Sequence, residues 1–317
     1  MSSILEKMFR FNKNFEQLNA NNTYVPDSFA TPVLRHIILN NIIEKTSNFS
    51  PALLLGIQGG YGMGKTFMVK ELCKQYNIDL VQLSSSDFSG SVEAASRDRF
   101  RKTYEDACIQ RAKSNRYTVI LIDDFHLSIA TEDDVGKTVN SSLLASAIMN
   151  ICDNPWLSNY RVPIILTGNN FGKVYGAVVR VGRMDLLSWV PEEKEKFEIV
   201  SRIFSARFEG MDSLEIQRLL EIYPDNSIAF FTQVAEDILL CSFDNVLDYF
   251  KKSNGIISIS ELRKKLKESV ESILVDPNIT LEIAAKRNKK FIQNFEITSS
   301  NPNQVKKEDE CHDQGRG

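Results

Sequence analysis

Cysteine is sparse and unpaired in this sequence. Cys73, Cys108, Cys152, Cys241 and Cys311 include no C-x-x-C pair. That excludes a zinc-ribbon or disulfide framework and leaves free thiols of a reducing compartment as the expectation. Histidine is scarcer still. His36, His126 and His312 form no triad and no metal cluster. His36 falls on an amphipathic helical pattern and reads as structural, and His126 is assigned no catalytic role. Apolar runs of membrane-spanning length are missing. The opening residues Met1-Ser2-Ser3-Ile4-Leu5-Glu6-Lys7 lack the apolar stretch of a signal peptide. An excess of one charge is missing too. The 38 basic and 41 acidic residues leave a formal net charge of -3, so bulk charge offers no attraction for nucleic acid. These absences point to a cytoplasmic protein with neither a membrane nor a nucleic-acid partner.

What is present is the make-up of a folded chain of more than one unit. With 317 residues, 43% of them hydrophobic and 25% charged, there is material for two packed domains. Gly59-Gly60-Tyr61-Gly62-Met63-Gly64-Lys65-Thr66 fits G-x-x-x-x-G-K-[ST] at every fixed position. A strand-like run, Ala52 to Ile57, precedes it, and a helical pattern over 67–76 follows. Glycines let the backbone curl around phosphates, and a helix N-terminus turns N–H groups and a positive dipole end toward them. All eight residues are therefore candidate ATP contacts. Lys65 is placed for the β- and γ-phosphates and Thr66 for Mg²⁺.

Further strands are expected at 79–84, 117–123, 161–167 and 186–190, with helical patterns between them. One of these carries Phe100, Tyr104, Ala107 and Arg111, another Leu144, Ile148 and Ile151. Strands that alternate with helices and read as unbroken apolar runs imply a parallel five-stranded sheet covered by helices. After Pro191 only helical patterns remain. The expected domains are a polar segment 1–23, an α/β nucleotide-binding domain 24–190, an all-helical lid 191–297 and a disordered tail 298–317.

Three polar clusters follow the strands. Ile120-Leu121-Ile122 ends in Asp123-Asp124, which suits a Walker B element. Asp123 would hold Mg²⁺, and Asp124 would orient and polarise the attacking water. A glutamate usually stands at this place in a Walker B element, and the shorter reach of Asp124 would slow hydrolysis. Thr167-Gly168-Asn169 offers an amide, Asn169, to the γ-phosphate or the water, with a plain loop asparagine as the alternative. Arg180 and Arg183, three residues apart, suit arginine fingers that serve a neighbouring subunit. A solvated basic turn is the alternative.

Together these residues resemble the AAA+ ATPases and, within them, the green-type rubisco activases of plants and cyanobacteria. Tyr24-Val25-Pro26, the stretch from Leu55 to Gly60 with Gly64-Lys65, Met149 to Pro155, Arg161 to Phe171, Arg180 to Met184 and Tyr223 to Phe231 carry the resemblance. It covers about residues 22–295, and the stretch from Arg161 to Met184 is specific to that family. The resemblance implies a P-loop NTPase with a helical lid, ATP and Mg²⁺ as ligands, and Tyr24 in the nucleotide pocket. It also implies a homo-oligomer, a hexameric ring with pore loops at 88–92 and 127–137, acting on inhibited rubisco to release sugar phosphates. A chloroplast stromal location would follow for a plastid-encoded chain. Four departures stand out. Ala235 and Asp237 replace two lid arginines, Asp123-Asp124 replaces Asn-Asp, and the loop between Pro155 and Arg161 is short. The family's N-terminal extension and an appended small-subunit-like domain are not seen. Two other readings stay open: an activase-like ATPase with another protein target, and an ATP-binding switch or scaffold that hydrolyses little; the acidic balance of the chain argues against a third, an initiator or clamp-loader type ATPase.

Overall fold

Parallel pairing explains why the strands start and stop where they do. The computed structural model describes residues 24–84, 95–125, 139–173, 178, 180, 182–208, 212–253, 257–271 and 280–289. The proposed pore loops at 88–92 and 127–137, His126, the first 23 residues and the tail lie outside the described residues. Helix α1 (Asp27–Ile42) leads into β1 (Leu54–Gln58), α2 (Lys65–Gln75), β2 (Asp79–Leu83), α3 (Ala95–Ser114), β3 (Thr118–Ile122) and α4 (Val139–Asp153). Then come β4 (Ile164–Gly168), a 3-10 turn at Phe171–Lys173 and β5 (Met184–Ser188). The five strands lie in the order β2-β3-β4-β1-β5, every pair parallel.

That order refines the expectation of apolar runs buried on both faces. The interior strands β3 and β4 are buried throughout, and β1 up to Gln58. The edge strands β2 and β5 have only one buried residue each, Leu83 and Met184. On one face Leu54, Ile120, Ile122, Ile164 and Leu166 pack with Phe100, Tyr104, Phe125, Leu144 and Ile148. By strand alternation Leu55, Ile57, Val119, Leu121 and Ile165, all buried, point to the other face. There α1 lies against α2 and β3, and α2 against β2.

Boundaries shift from the sequence expectation for identifiable reasons. Pro163 has no N–H for the ladder, so β4 begins at Ile164 rather than 161. The Pro163 carbonyl still accepts from Ile120 N at 3.0 Å. β5 starts two residues earlier than expected, because Leu54 pairs with Met184 and Leu54 N donates to Arg183 O at 3.1 Å. Between α4 and β4, Leu157 and Tyr160 exchange backbone hydrogen bonds at 2.9 and 3.0 Å around Ser158, whose φ is +56°. The short loop is thus a tight hairpin.

Contacts divide the chain into two units. The first runs to Arg202 and takes in Ser227–Ala229; the second comprises Ile203–Asn226 and the chain from Phe230 on. The division falls after Arg202 rather than at 190, because the start of α5 (Glu193–Ser205) is tied to the first unit. Arg202 stacks on the Tyr24 ring with its guanidinium 5.4 Å from the centroid, and Ser28 donates to Glu195. In the second unit α6 (Ser213–Ile222) is capped by Asp212, whose carboxylate accepts from Leu214 N at 3.1 Å. It is followed by α7 (Ile228–Lys252), whose first two residues belong to the first unit, by α8 (Ile259–Glu271) and by α9 over 280–289, the last helix among the described residues. Phe204, Leu219, Phe231, Val234 and Ala284 are fully buried in this unit. Ala235, one of the two positions lacking a lid arginine, is fully buried as well, and Asp237 holds Arg287 of α9 with Nε–Oδ2 at 2.7 Å.

Two buried asparagines end α1 and tie it to the sheet. Asn41 donates to Thr118 O at 3.0 Å, accepts from Thr118 N at 3.1 Å and from Arg111 Nε at 3.0 Å. Asn40 donates to His36 O and Ala52 O. One turn earlier, burial holds the His36 imidazole neutral down to about pH 4, from an ordinary 6.5. The Arg161 charge adds to this and the Ile164 and Leu53 carbonyls oppose it. The unfolded chain therefore binds this proton first. The stability tied to neutral His36 is present in full above pH 6.5 and falls as pH drops to about 4, by about 3 kcal/mol in total. Melting temperatures measured from pH 7 to 4.5 should drop less steeply for His36→Leu than for the wild type. Parallel curves would deny the buried imidazole this role.

Candidate nucleotide-binding site

Strand order alone gathers the candidate residues. The Gly-rich turn follows β1, Asp123 and Asp124 follow β3, and Asn169 follows β4. These three strands are adjacent, so their C-terminal ends present the three loops side by side, where open α/β sheets bind ligands.

The turn from Gly59 to Gly64 is held by Trp189, just past β5. The Trp189 backbone N–H donates to the carbonyl of Gln58, the last residue of β1, at 2.7 Å, and its indole Nε1 donates to Met63 O at 2.9 Å. Its ring meets Phe29 of α1 edge-on at 5.0 Å. Gly59 is obligatory here, since a Cβ would sit 2.3 Å from Trp189 O. Gly64 caps α2 with φ +79°, a left-handed conformation that glycine adopts without strain. No acidic residue occupies the first turn of α2, so its dipole end is left for an anion. Tyr61 and Gly62 form the exposed tip, and Ala229 N donates to Gly62 O at 2.9 Å.

Lys65 lies within the turn it follows. Its ammonium donates to Gly59 O at 2.8 Å, Gly60 O at 2.9 Å and Asn169 Oδ1 at 3.1 Å, which uses all three of its protons. Burial lowers its pKa, while the charges of Asp124 and Asp123 hold it up. Beside it, Thr66 Oγ1 donates to Asp123 Oδ1 at 2.5 Å, and Thr167 Oγ1 donates to the same oxygen at 2.7 Å. Asp124 N is 3.1 Å from Asp123 Oδ1 and 3.3 Å from Thr167 Oγ1. Thr66 and Asp123 present hard oxygens of the kind Mg²⁺ takes alongside phosphates, so the residues present fit that ion.

The structure therefore brings together Lys65, Thr66, Asp123, Asp124 and Asn169. Tyr24 is placed against Arg202, with no hydrogen bond to the turn among the described residues. Arg183 is bound to Asp153 by two hydrogen bonds, and Arg180 is exposed. Sequence reasoning missed three contributors: Thr167, Trp189 and Gln58, whose side chain accepts from Phe171 N and donates to Ser188 Oγ. A hydroxyl inside an otherwise apolar buried strand was the available signal for Thr167.

Comparison with known proteins agrees with this geometry. Residues 55–192 match the family described as "ATPase family associated with various cellular activities (AAA)". The ribulose bisphosphate carboxylase/oxygenase activase of Cucumis sativus is 28% identical over 67% of this chain and 53% of its own length. That of Nostoc sp. is 28% identical over 81% of this chain and 66% of its own. That of Anabaena sp. is 29% identical over 68% of this chain and 54% of its own. The chain thus spans about half to two thirds of these relatives. With the phosphate turn, the carboxylate pair and the asparagine on adjacent strand ends, residues 55–192 match the AAA family, and the chain is similar to the rubisco activases.

Proposed function

We propose that the chain hydrolyses ATP to remodel a protein, with inhibited rubisco as the target and a homo-oligomeric ring, a hexamer, as the working form. The observation that carries the ATPase part is the convergence of Lys65 Nζ, Asn169 Oδ1 and the Thr66–Asp123–Thr167 hydroxyl–carboxylate chain at one strand edge. Lys65 exchanges its carbonyl partners for the β- and γ-phosphates. Thr66 and Asp123 would hold Mg²⁺, which would neutralise phosphate charge. Asp124 orients the attacking water, Asn169 fixes the γ-phosphate, and the turn from Arg180 to Arg183 serves the neighbouring copy's site. The rubisco part rests on similarity to proteins named as activases.

Purified protein with ATP and Mg²⁺ should restore carboxylation to rubisco inhibited by ribulose bisphosphate. Steady ATP turnover without recovery, across several green-type rubiscos, would give the protein another target. A second reading, a switch with little turnover, is favoured by the buried Ala235 and the ion-paired Asp237 at the two lid positions. Bound ATP that persists through an hour of incubation would select it.

A further inference from the structure

Arg180 and Arg183 stand in different surroundings. Arg183 enters the sheet with its backbone, its carbonyl accepting from Leu54 N at 3.1 Å. Its guanidinium grips Asp153 through both arms, Nε–Oδ1 at 2.8 Å and Nη2–Oδ2 at 2.7 Å. This is the planar fork-to-carboxylate arrangement, the strongest that arginine makes with a side chain. Asp153 has its own reason to hold a cation. It is the last residue of α4, where the helix dipole disfavours a negative charge, and the last turn of α4 has no basic residue. The Asp153 hydrogen bond is accordingly the main influence raising the Arg183 pKa.

Arg180 is exposed, and among the described residues its side chain has no hydrogen-bond or ion-pair partner. Its carbonyl closes the turn by accepting from Arg183 N at 3.0 Å and Met184 N at 3.3 Å, and Gly182 has φ +92°. The turn is therefore fixed at its Arg183 end by strand pairing and by α4, and Arg180 stands exposed at the other end, with its fork unused among the described residues.

We propose that the two arginines divide the work. Arg183 is a positioning residue locked by Asp153, and Arg180 alone reaches the neighbouring copy's γ-phosphate. This rests on the ATPase ring reading above. A fork already engaged at both arms cannot offer the same arms to a phosphate without leaving Asp153 unpaired at a helix C-terminus.

Exchanging the charges separates the roles. Asp153→Arg and Arg183→Asp should each cut turnover as single variants, and the double variant should recover to within about tenfold of wild type, since a strut works in either direction. Arg180→Ala should lose about 10³–10⁵ in rate with ATP affinity unchanged, as an arginine finger does. Should the exchanged protein not fold, Arg183→Gln replaces it, keeping a hydrogen bond to Asp153 and turnover within about tenfold. Loss of about 10³ at Arg183→Gln or in the exchanged protein, with normal ATP binding, overturns the division of labour. So does wild-type turnover in Arg180→Ala. Mixing Arg180→Ala with Lys65→Ala subunits tests the reading beneath it. No recovery in demonstrably mixed rings would refute action in trans while the exchange result still reports on Asp153. If the wild type turns over no ATP, ATP-dependent assembly by light scattering reads the same comparison, with Arg180→Ala impaired and the exchanged protein intact.

Discussion

Lys65→Ala is expected to weaken ATP binding by about 10²–10⁴-fold. Two charge-assisted contacts to phosphate, at about 1.5–3 kcal/mol each, are lost together. Nothing else in the described site supplies a cation to that spot, because Arg183 is committed to Asp153 and Arg180 lies on a separate turn. The ammonium is held by Gly59 O, Gly60 O and Asn169 Oδ1. The wild-type turn is thus braced by its own lysine, and the variant loses that brace as well as the charge. Titration with a fluorescent ATP analogue checks the affinity, and thermal melting shows whether the variant remains folded. Affinity within threefold of wild type in folded protein would remove Lys65 from the site. The carboxylates bear on the same lysine. Asp123 and Asp124 keep its pKa from falling further under burial, so neutralising either one makes Lys65 easier to deprotonate.

The order of elements was legible because each part has a local cause. The eight residues from Gly59 to Thr66 need a strand before and a helix after, and Leu54–Gln58 and Lys65–Gln75 provide them. The apolar runs ending in Asp123 and Asn169 announced β3 and β4, which the sheet places side by side next to β1. Partner choice across the chain was not legible. Asp153 reads as an ordinary helix-end acid, and only the fold brings it to Arg183, thirty residues on. Thr167 reads as strand filler, yet its hydroxyl joins Asp123 to the backbone of Asp124. Trp189 reads as the end of a strand, and nothing local marks it as the support of Met63. Edge exposure also escaped, because the apolar content of β5 does not reveal that only one neighbour, β1, covers it.

Asp124→Asn is expected to bind ATP normally and to lose about 10²–10⁴ in turnover, the usual contribution of a positioned proton acceptor. The backbone makes this substitution clean. Asp124 has φ +48°, in the left-handed region that asparagine and aspartate enter more readily than other residues with side chains. Its N–H keeps Asp123 Oδ1 and Thr167 Oγ1 as acceptors whichever of the two side chains it carries. The same conformation bears on why this position holds aspartate rather than the longer glutamate. A short acid tolerates the left-handed turn, and glutamate there would strain it by about 1–2 kcal/mol. Asp124→Glu should therefore lower the melting temperature while keeping measurable turnover, whereas Asp124→Asn should leave melting unchanged and trap ATP. Single-turnover chemistry with radiolabelled ATP distinguishes slow cleavage from slow release. Cleavage at the wild-type rate in Asp124→Asn would show that another group activates the water, and would leave Asp124 as a residue chosen for its backbone alone.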